Sequence, residues 1–339
     1  MHTAPRQVHV RVPATTANLG SGFDILGLAL QLYNVFSLRI TSEPGWRVRL
    51  PPGVRFPTDE RNLVFRAARV LFTHVGVTPA GLHLSLSLRI PLARGLGSSS
   101  SAIVGGLLAA NQLLGNPVDR ATLLGMAVAL EGHPDNVTPA LIGGLTLSYA
   151  VEAQHHYVTI PFPDDLTLVV AIPEFELSTV QARAVLPAQV SRADAIFNSS
   201  RTALFIHALQ SRQYALLSAA MDDRLHQPYR AALIPGMTAA IAAGYAAGAC
   251  GVALSGAGPT LLAITETAPE TVARALHQAF VRHGVTCRTR LVHADMSGAV
   301  AWETPPRQAA SPRTLKAPRG PRASGRRATS CHRSPPPHH

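Results

Sequence analysis

The most informative segment of the sequence is PLARGLGSSSS, residues 91–101, which lies between a strand pattern and a helix pattern. Residues 82–88 carry leucine at every second position, which is typical of a half-buried strand. From Ser98 to Leu114 the apolar residues recur at helical spacing. The turn therefore leads directly into a helix. The unpaired N–H groups and the positive dipole end at a helix start favour a phosphate chain.

The residue types within this stretch support the same interpretation. Gly95 and Gly97 allow close backbone approach, and Ser98 to Ser101 supply four hydroxyls where a phosphate chain would lie. A serine hydroxyl beside phosphate commonly ligates magnesium, which prefers oxygen ligands. An ordinary glycine turn with serine N-caps explains the same residues without any ligand. The stretch is neither a Walker A loop, because no G-K-[ST] follows, nor a dinucleotide G-x-G-x-x-G loop.

Three further segments place polar side chains beside strand or helix patterns. PATTANLGSGFD, residues 13–24, follows the first strand pattern, and its Asp24 suits a ligand ammonium group, an N-cap or an Asx turn equally well. EGHPDN, residues 131–136, offers three oxygen-bearing side chains for magnesium and a hydroxyl nucleophile, and it enters a strand pattern over residues 143–149. Its His133 is also explained as a structural turn residue. SGAGPT, residues 255–260, is a glycine turn between short strand patterns, a common feature on its own.

Composition indicates two medium domains and a basic tail. The chain has 339 residues, of which 47% are hydrophobic and 14% are charged, so it can bury substantial cores. Eight of the 30 Lys and Arg residues and one of the 19 acids lie in residues 303–339. The remaining 22 basic and 18 acidic residues give the body a net charge of +4, against +11 for the whole chain. The high charge therefore argues only weakly for a nucleic-acid-binding body.

Lysine and cysteine usage excludes several kinds of chemistry. Lys316 is the only lysine, so the body cannot use a P-loop lysine, a Schiff base or a lysine general base. The three cysteines have no close spacing, which fits neither a disulfide framework nor a zinc site and favours the cytoplasm. No secretory signal is expected in residues 1–20. The uncharged run over residues 231–265 is interpreted as a packed helix, a strand and a glycine loop, because glycine and proline interrupt it.

Strand and helix patterns alternate irregularly, which predicts an α+β fold. We expect an N-terminal domain over residues 1–160, a C-terminal domain over residues 161–302 and a disordered basic tail over residues 303–339. The tail is rich in Pro, Arg, Ser and Ala and has almost no large apolar residue, so burial cannot offset its ordering entropy.

Taken together and in this order, the four segments resemble the motifs of the GHMP kinase superfamily. The resemblance spans about residues 8–292, and the combination is specific although each segment alone is not. It implies a two-domain fold, with an S5-like N-terminal domain and a ferredoxin-like C-terminal domain around the site. It also implies ATP-dependent phosphorylation of L-homoserine to O-phospho-L-homoserine in threonine biosynthesis, with Mg²⁺, and a possible homodimer.

The resemblance also implies roles for individual residues. Magnesium would bind Ser99 and Glu131, although the unusual Ser100 and Ser101 leave the serine uncertain by one or two positions. Asn136 would contact the acceptor hydroxyl, with Asp135 as the fallback base. The residues implied around ATP are Asn62, Pro91, Arg94, Gly95, Leu96, Gly97, Ser98, Ser99, Ser100 and Ser101. The residues implied around the amino-acid substrate are Asn18, Asp24, Thr179, Arg183 and Arg230.

Two rival interpretations remain at this level. One is a GHMP kinase for a different small alcohol. Arg183, Arg230 and Asp24 argue against it, because together they suit a zwitterion. For Arg230 a surface salt bridge is an equally good explanation. The other rival is a catalytically inactive protein that binds nucleic acid through its basic tail.

Overall fold

The computed structural model describes residues 7–50, 56–152 and 154–304. The first compact unit of the chain runs to Thr304 and contains all of the elements below. The strands are β1 (Gln7–Ala17), β2 (Leu26–Thr41), β3 (Gly45–Arg49), β4 (Gly81–Ser87), β5 (Leu145–Val151), β6 (Gln154–Ile160), β7 (Thr167–Pro173), β8 (Gly251–Leu254), β9 (Leu261–Thr265), β10 (Cys287–Val292) and β11 (Val300–Glu303). The α-helices are α1 (Leu63–Val75), α2 (Ser98–Leu113), α3 (Arg120–Glu131), α4 (Pro134–Ile142), α5 (Thr179–Ala184), α6 (Arg192–Gln210), α7 (Leu217–Ala220), α8 (Gln227–Arg230), α9 (Met237–Ala246) and α10 (Pro269–Arg282). Short 3₁₀ helices cover Tyr214–Leu216 and Ala231–Leu233.

The first sheet has the strand order β11-β1-β2-β4-β3, and β5 and β6 extend it from the other half of β2. All of its pairs are antiparallel except β3 with β4. Val8, Val10 and Val12 alternate along β1 and are fully buried, and α2 and α4 contact this strand, so the alternation corresponds to a core face.

The second sheet is antiparallel, with the order β10-β7-β9-β8. Numbered from β7, this order is 4-1-3-2 with helices between the first and second and between the third and fourth strands, which is the ferredoxin-like arrangement. One face packs on α9 and α10. The other face shares a core with the first sheet, in which Leu28 and Leu30 lie with Leu168 and Val170.

Most of the predicted elements are present with small shifts at their ends. The run over residues 231–265 forms α9, β8, a glycine turn and β9, as expected. The segment EGHPDN does not lead straight into a strand: Pro134 begins α4, and Asp135 and Asn136 lie in its first turn. Proline is well suited to a first helical position, and burial of the whole of α4 favours a helix despite the internal Pro139.

The end of the chain lies mostly outside the described residues. Strand β11 returns to pair with β1 of the first sheet, and it includes Glu303, the first residue of the predicted tail. Residues 305–339, which include Cys331, are outside the described part of the chain. The boundary at residues 160 and 161 stays a prediction. Among the described residues, none of the helices combines the length and apolar character needed to span a bilayer.

Candidate active site

The glycine loop, residues 91–97, delivers the chain to the first turn of α2. Gly97 is the N-cap residue with φ +67°, and it has no side chain to satisfy the first amides of the helix. The Ser101 amide is the first to find a main-chain acceptor, Gly97 O at 2.9 Å. The amides of Ser98 to Ser100 precede it and have no helical acceptor, as at every helix start. An anion is therefore favoured at this position.

Neighbouring segments hold the glycine loop from both sides. The Thr15 amide donates to Leu96 O at 3.2 Å, and the Ser255 hydroxyl donates to Gly95 O at 2.6 Å. A Cβ on Gly95 would lie 2.2 Å from Ser255 O, and a Cβ on Gly97 would lie 1.9 Å from Thr15 Oγ1. The motifs around residues 15 and 255 thus support the loop, and only glycine fits at its two close approaches.

Hydroxyl and carboxylate oxygens gather beside the start of α2. The hydroxyls of Ser99 and Ser100 both donate to Glu131 Oε1, at 2.6 and 2.8 Å. Ser101 is fully buried, donates to Ser98 O and accepts from Asn34, so it faces the sheet. Ser100 is fully buried, so the oxygen donors that face the cavity are the Ser99 hydroxyl and the Glu131 carboxylate, and they fit a hard divalent cation such as Mg²⁺.

Helix α4 brings a second polar cluster to the same cavity. The Thr15 hydroxyl donates to Asn136 Oδ1 at 2.7 Å, and Asn136 Nδ2 donates to Asp135 Oδ1 at 3.3 Å. His133 Nδ1 donates to the same Asp135 oxygen at 2.5 Å. Asp135 is only 2% exposed. The carboxylate therefore already accepts two hydrogen bonds from its neighbours, and the amide of Asn136 is fixed in orientation.

Asp24 and Arg183 were expected to hold opposite ends of a ligand, and in this structure they bind each other. Arg183 donates from Nη1 to Asp24 Oδ2 at 3.0 Å and from Nη2 to Asp24 Oδ1 at 2.6 Å. The pair is partly open to solvent, with side chains 38% and 33% exposed. Asp24 also donates its amide to Asn18 Oδ1, and Asn18 in turn donates to Gly256 O.

Arg230 differs from Arg183 in its surroundings. It is 2% exposed, so the alternative of a surface salt bridge is wrong. Its guanidinium donates to Ala182 O and Gly256 O at 3.0 Å and to His226 Nδ1 at 3.2 Å, and among the described residues it forms no ion pair with a carboxylate. Burial, together with the nearby Arg183 charge, lowers the pKa of Arg230 to about 10. It therefore remains a buried cation at neutral pH that lacks a paired anion.

A cavity of about 510 Å³ joins these clusters. It reaches from Asn62, which caps α1 by accepting the Val64 amide, to Thr179 at the start of α5. The residues expected from the sequence that line it are Asn18, Asp24, Asn62, Arg94, Gly95, Gly97, Ser98, Ser99, Glu131, Asp135, Asn136, Thr179, Arg183 and Arg230. Pro91, Leu96, Ser100 and Ser101 were expected at the site as well, but they are not among its lining residues.

Several contributors were not identified from the sequence. Thr15 orients Asn136, and Asn34 accepts the amides of Arg89 and Ile90 beneath the glycine loop. Asp223 accepts three amides at the start of α8, which presents Arg230. Polar residues inside otherwise apolar strand patterns, such as Thr15 and Asn34, were the signal available.

His133 makes stability depend on pH. Burial on its own lowers the pKa of His133, but the hydrogen bond to Asp135 and the charges of Asp135 and Glu131 outweigh it, so the pKa lies above its ordinary value of 6.5. The folded state thus binds this proton more tightly than the unfolded state. Its contribution is complete below pH 6.5 and is lost as the pH rises through the folded pKa. We expect H133Q to remove this part of the pH dependence of the free energy of unfolding, which urea unfolding at a series of pH values measures. An unchanged pH dependence would contradict this expectation.

Comparison with known proteins assigns this arrangement to a family. Residues 62–144 match the family model of the GHMP kinases N terminal domain, and residues 205–282 match that of the GHMP kinases C terminal domain. Homoserine kinase of Trichormus variabilis is 48% identical over 295 residues, which are 86% of this chain and 98% of that protein. Homoserine kinase of Nostoc punctiforme is 46% identical over 87% of this chain and 98% of its own length.

A solved structure agrees with the sequence relatives. The crystal structure of homoserine kinase from Cytophaga hutchinsonii superposes with a TM-score of 0.81 at 29% identity, covering 89% of this chain and 99% of that one. The chain therefore belongs to the GHMP kinases and, within them, to the homoserine kinase family. Its two-domain α+β fold is that of the family, as the motifs implied.

Proposed function

We propose that this chain is an ATP-dependent kinase that phosphorylates the hydroxyl of L-homoserine to give O-phospho-L-homoserine, a step of threonine biosynthesis. The observation that carries the proposal is a single cavity with an anion-binding helix start at one wall and a carboxylate with two guanidinium groups at the other. A triphosphate suits the first wall, and a small zwitterion suits the second.

The donor side of the proposal uses the glycine loop and α2. Arg94, Gly95 and Gly97 would border the phosphates, the amides of Ser98 and Ser99 would bind their oxygens, and Asn62 would lie near the adenine. The hydrogen bond from Ser99 to Glu131 supports a magnesium position here, with Ser99 as the ligand, because Ser100 is fully buried and does not line the cavity. Bound Mg²⁺ would neutralise charge on the transferring phosphoryl group.

The acceptor side uses the opposite wall. Asp24 and Asn18 would bind the ammonium group of the substrate, and Arg183, Arg230 and Thr179 would bind its carboxylate. Arg230 supports this assignment because it is a buried cation whose polar partners are carbonyl oxygens and a histidine. A planar guanidinium can bind a carboxylate through two hydrogen bonds.

The proposed chemistry depends on alignment more than on a strong base. The body has no lysine, and phosphoryl transfer has a loose transition state that needs mainly alignment and charge neutralisation. Asn136 would orient the acceptor hydroxyl, since Thr15 and Asp135 fix its amide. Asp135 is the fallback base, and it lies one residue away with its Oδ1 atom shared by His133 and Asn136.

Replacing Asp135 separates these two possibilities. We expect D135A to lower kcat by less than about 10³-fold, because loss of a positioning contact costs less than loss of a general base at the upper end of its range. Stopped-flow or steady-state kcat over pH 6 to 9 measures it. A fall beyond that factor would make Asp135 the base.

The substrate assignment is tested by ADP release with homoserine, mevalonate, galactose, serine and threonine as acceptors. We expect turnover with homoserine above all others. Activity only with a different acceptor would contradict homoserine as the substrate but would still support a kinase. The absence of turnover with every acceptor, together with salt-dependent nucleic-acid binding that deletion of residues 303–339 abolishes, would favour the inactive binding protein.

Three organisational features belong to the same proposal. The division into domains at residues 160 and 161 follows from the strand and helix patterns of the sequence, and the homodimer follows from the family resemblance. The cytoplasm is the proposed compartment, in keeping with the free thiols of Cys250 and Cys287.

A further inference from the structure

The ion pair between Asp24 and Arg183 occupies the groups that the acceptor is expected to need. Both carboxylate oxygens of Asp24 accept a hydrogen bond from Arg183, at 3.0 and 2.6 Å. Arg230, on the same wall, has no such partner among the described residues. A ligand therefore meets one available cation, Arg230, and one ion pair, Asp24 with Arg183, whose charges neutralise each other.

We infer that this ion pair is a specificity device that opens only for a ligand carrying both an ammonium and a carboxylate group. The inference rests on the proposed function, because it uses the acceptor wall defined there. A zwitterion can give Asp24 a new cation and Arg183 a new anion in one binding event, so each charge stays paired. A ligand with one of the two charges can bind to a member of this pair only by breaking it, which leaves the other member without its partner.

The surrounding structure lets the pair open through side-chain movement alone. Asp24 has φ +60°, and its amide is held by Asn18, while Arg183 lies on α5, whose start is closed by a capping box at Ser178. The Phe23 ring lies 5.7 Å from the Arg183 guanidinium carbon and 5.4 Å from that of Arg230. Arg183 therefore has a cation–π contact in addition to its hydrogen bonds with Asp24.

The solvent contact of the pair makes the exchange feasible. Both side chains are about one third exposed, so water and salt weaken their attraction. A fully buried pair would be costly to separate, and a fully exposed pair would exclude nothing. A two-point guanidinium–carboxylate contact at intermediate burial lies between these limits.

The test is calorimetric binding of three ligands to the full chain: L-homoserine, 4-hydroxybutanoate, which lacks the ammonium group, and 3-aminopropan-1-ol, which lacks the carboxylate. D24N frees Arg183 from its internal partner. We expect D24N to bind homoserine more weakly than the unaltered chain and to bind 4-hydroxybutanoate about fivefold more tightly. An unchanged or weaker affinity for 4-hydroxybutanoate would overturn the inference.

A control variant distinguishes the loss of the ion pair from the loss of one negative charge near the cavity. Glu176 is 69% exposed and lies 3.7 Å from Arg94, which lines the same cavity. E176Q removes one negative charge without touching Arg183, and we expect its affinity for 4-hydroxybutanoate to stay within twofold. An equal gain in affinity in E176Q and D24N would show that net charge near the cavity causes the gain, and it would overturn the inference.

A second variant keeps the test decisive if D24N does not fold. R183K conserves the charge but removes the two-point contact with Asp24. We expect this variant to bind 3-aminopropan-1-ol about fivefold more tightly than the unaltered chain. An unchanged affinity for 3-aminopropan-1-ol would contradict the inference. A structure with bound homoserine that retains the contacts of 2.6 and 3.0 Å between Asp24 and Arg183 would also contradict it. Failure of the proposed function is a different outcome, the absence of homoserine turnover by the unaltered chain, and these binding measurements do not depend on turnover.

Discussion

Replacement of Gly97 by alanine is expected to reduce kcat/KM for ATP by about 10²-fold or more. Gly97 has φ +67°, where an L side chain costs about 1–2 kcal/mol. The added Cβ would also lie 1.9 Å from Thr15 Oγ1 and 3.3 Å from Asn136 Oδ1. Thr15 or the loop must then shift, which breaks the hydrogen bond that orients Asn136, and misplacement by about 1 Å costs on the order of 10²-fold. Steady-state kinetics with varied ATP measures the effect.

Gly115 supplies a matched control for this prediction. It also has a positive φ, +83°, but a Cβ there would meet nothing within 4 Å. G115A therefore introduces the backbone strain without the contact, and we expect a loss of about 1 kcal/mol in the free energy of unfolding with kcat/KM nearly unchanged. If G97A and G115A had the same kinetics, the close approach to Thr15 would not matter to the reaction.

Replacement of Arg230 by methionine is expected to raise KM for homoserine about 100-fold and to leave KM for ATP within threefold. A charge-assisted hydrogen bond contributes about 1.5–3 kcal/mol, which corresponds to roughly 10- to 150-fold. Methionine fills part of the buried volume but cannot donate to a carboxylate. The Ala182 carbonyl also loses its Arg230 donor, whereas Gly256 O keeps its hydrogen bond from Asn18, so we expect the free energy of unfolding to fall by about 1–3 kcal/mol.

Arg61 is the control for this second replacement, since it lines the same cavity. Its side chain is 80% exposed and is paired with Asp59 at 2.8 Å. R61M should keep KM for homoserine within twofold. A similar rise of KM in R61M and R230M would indicate a general loss of positive charge at the cavity, and it would remove the specific role of Arg230.

Local patterns were sufficient where neighbouring residues in the chain determine the structure. The glycine loop before α2 was predicted from the leucine alternation, the two glycines and the helical spacing that follows. Helix α2, Ser98–Leu113, ends one residue before the helical spacing that the sequence shows from Ser98 to Leu114. Helix α4 was missed because its proline-containing, nearly uniformly buried sequence has no clear apolar stripe.

The relations between the site residues could not be predicted in the same way. Asp24 and Arg183 are 159 positions apart, and Thr15 and Asn136 are 121 positions apart. The spacing of residues within one segment contains no information about which distant side chain lies opposite. The resemblance indicated that these residues share a site, but it assigned Asp24 and Arg183 to a ligand and not to each other.

The α+β class, the glycine turn at the start of α2, the body without lysine and the polar residues that the family motifs place at the site all follow from the amino-acid sequence. Three features are visible only in the folded chain: Arg230 is a buried cation, Asp24 and Arg183 form an ion pair, and Thr15 orients Asn136. The difference arises because backbone periodicity and turn chemistry act over a few residues. The pairing of buried charges and amides depends on how two sheets, far apart in the chain, pack around one cavity.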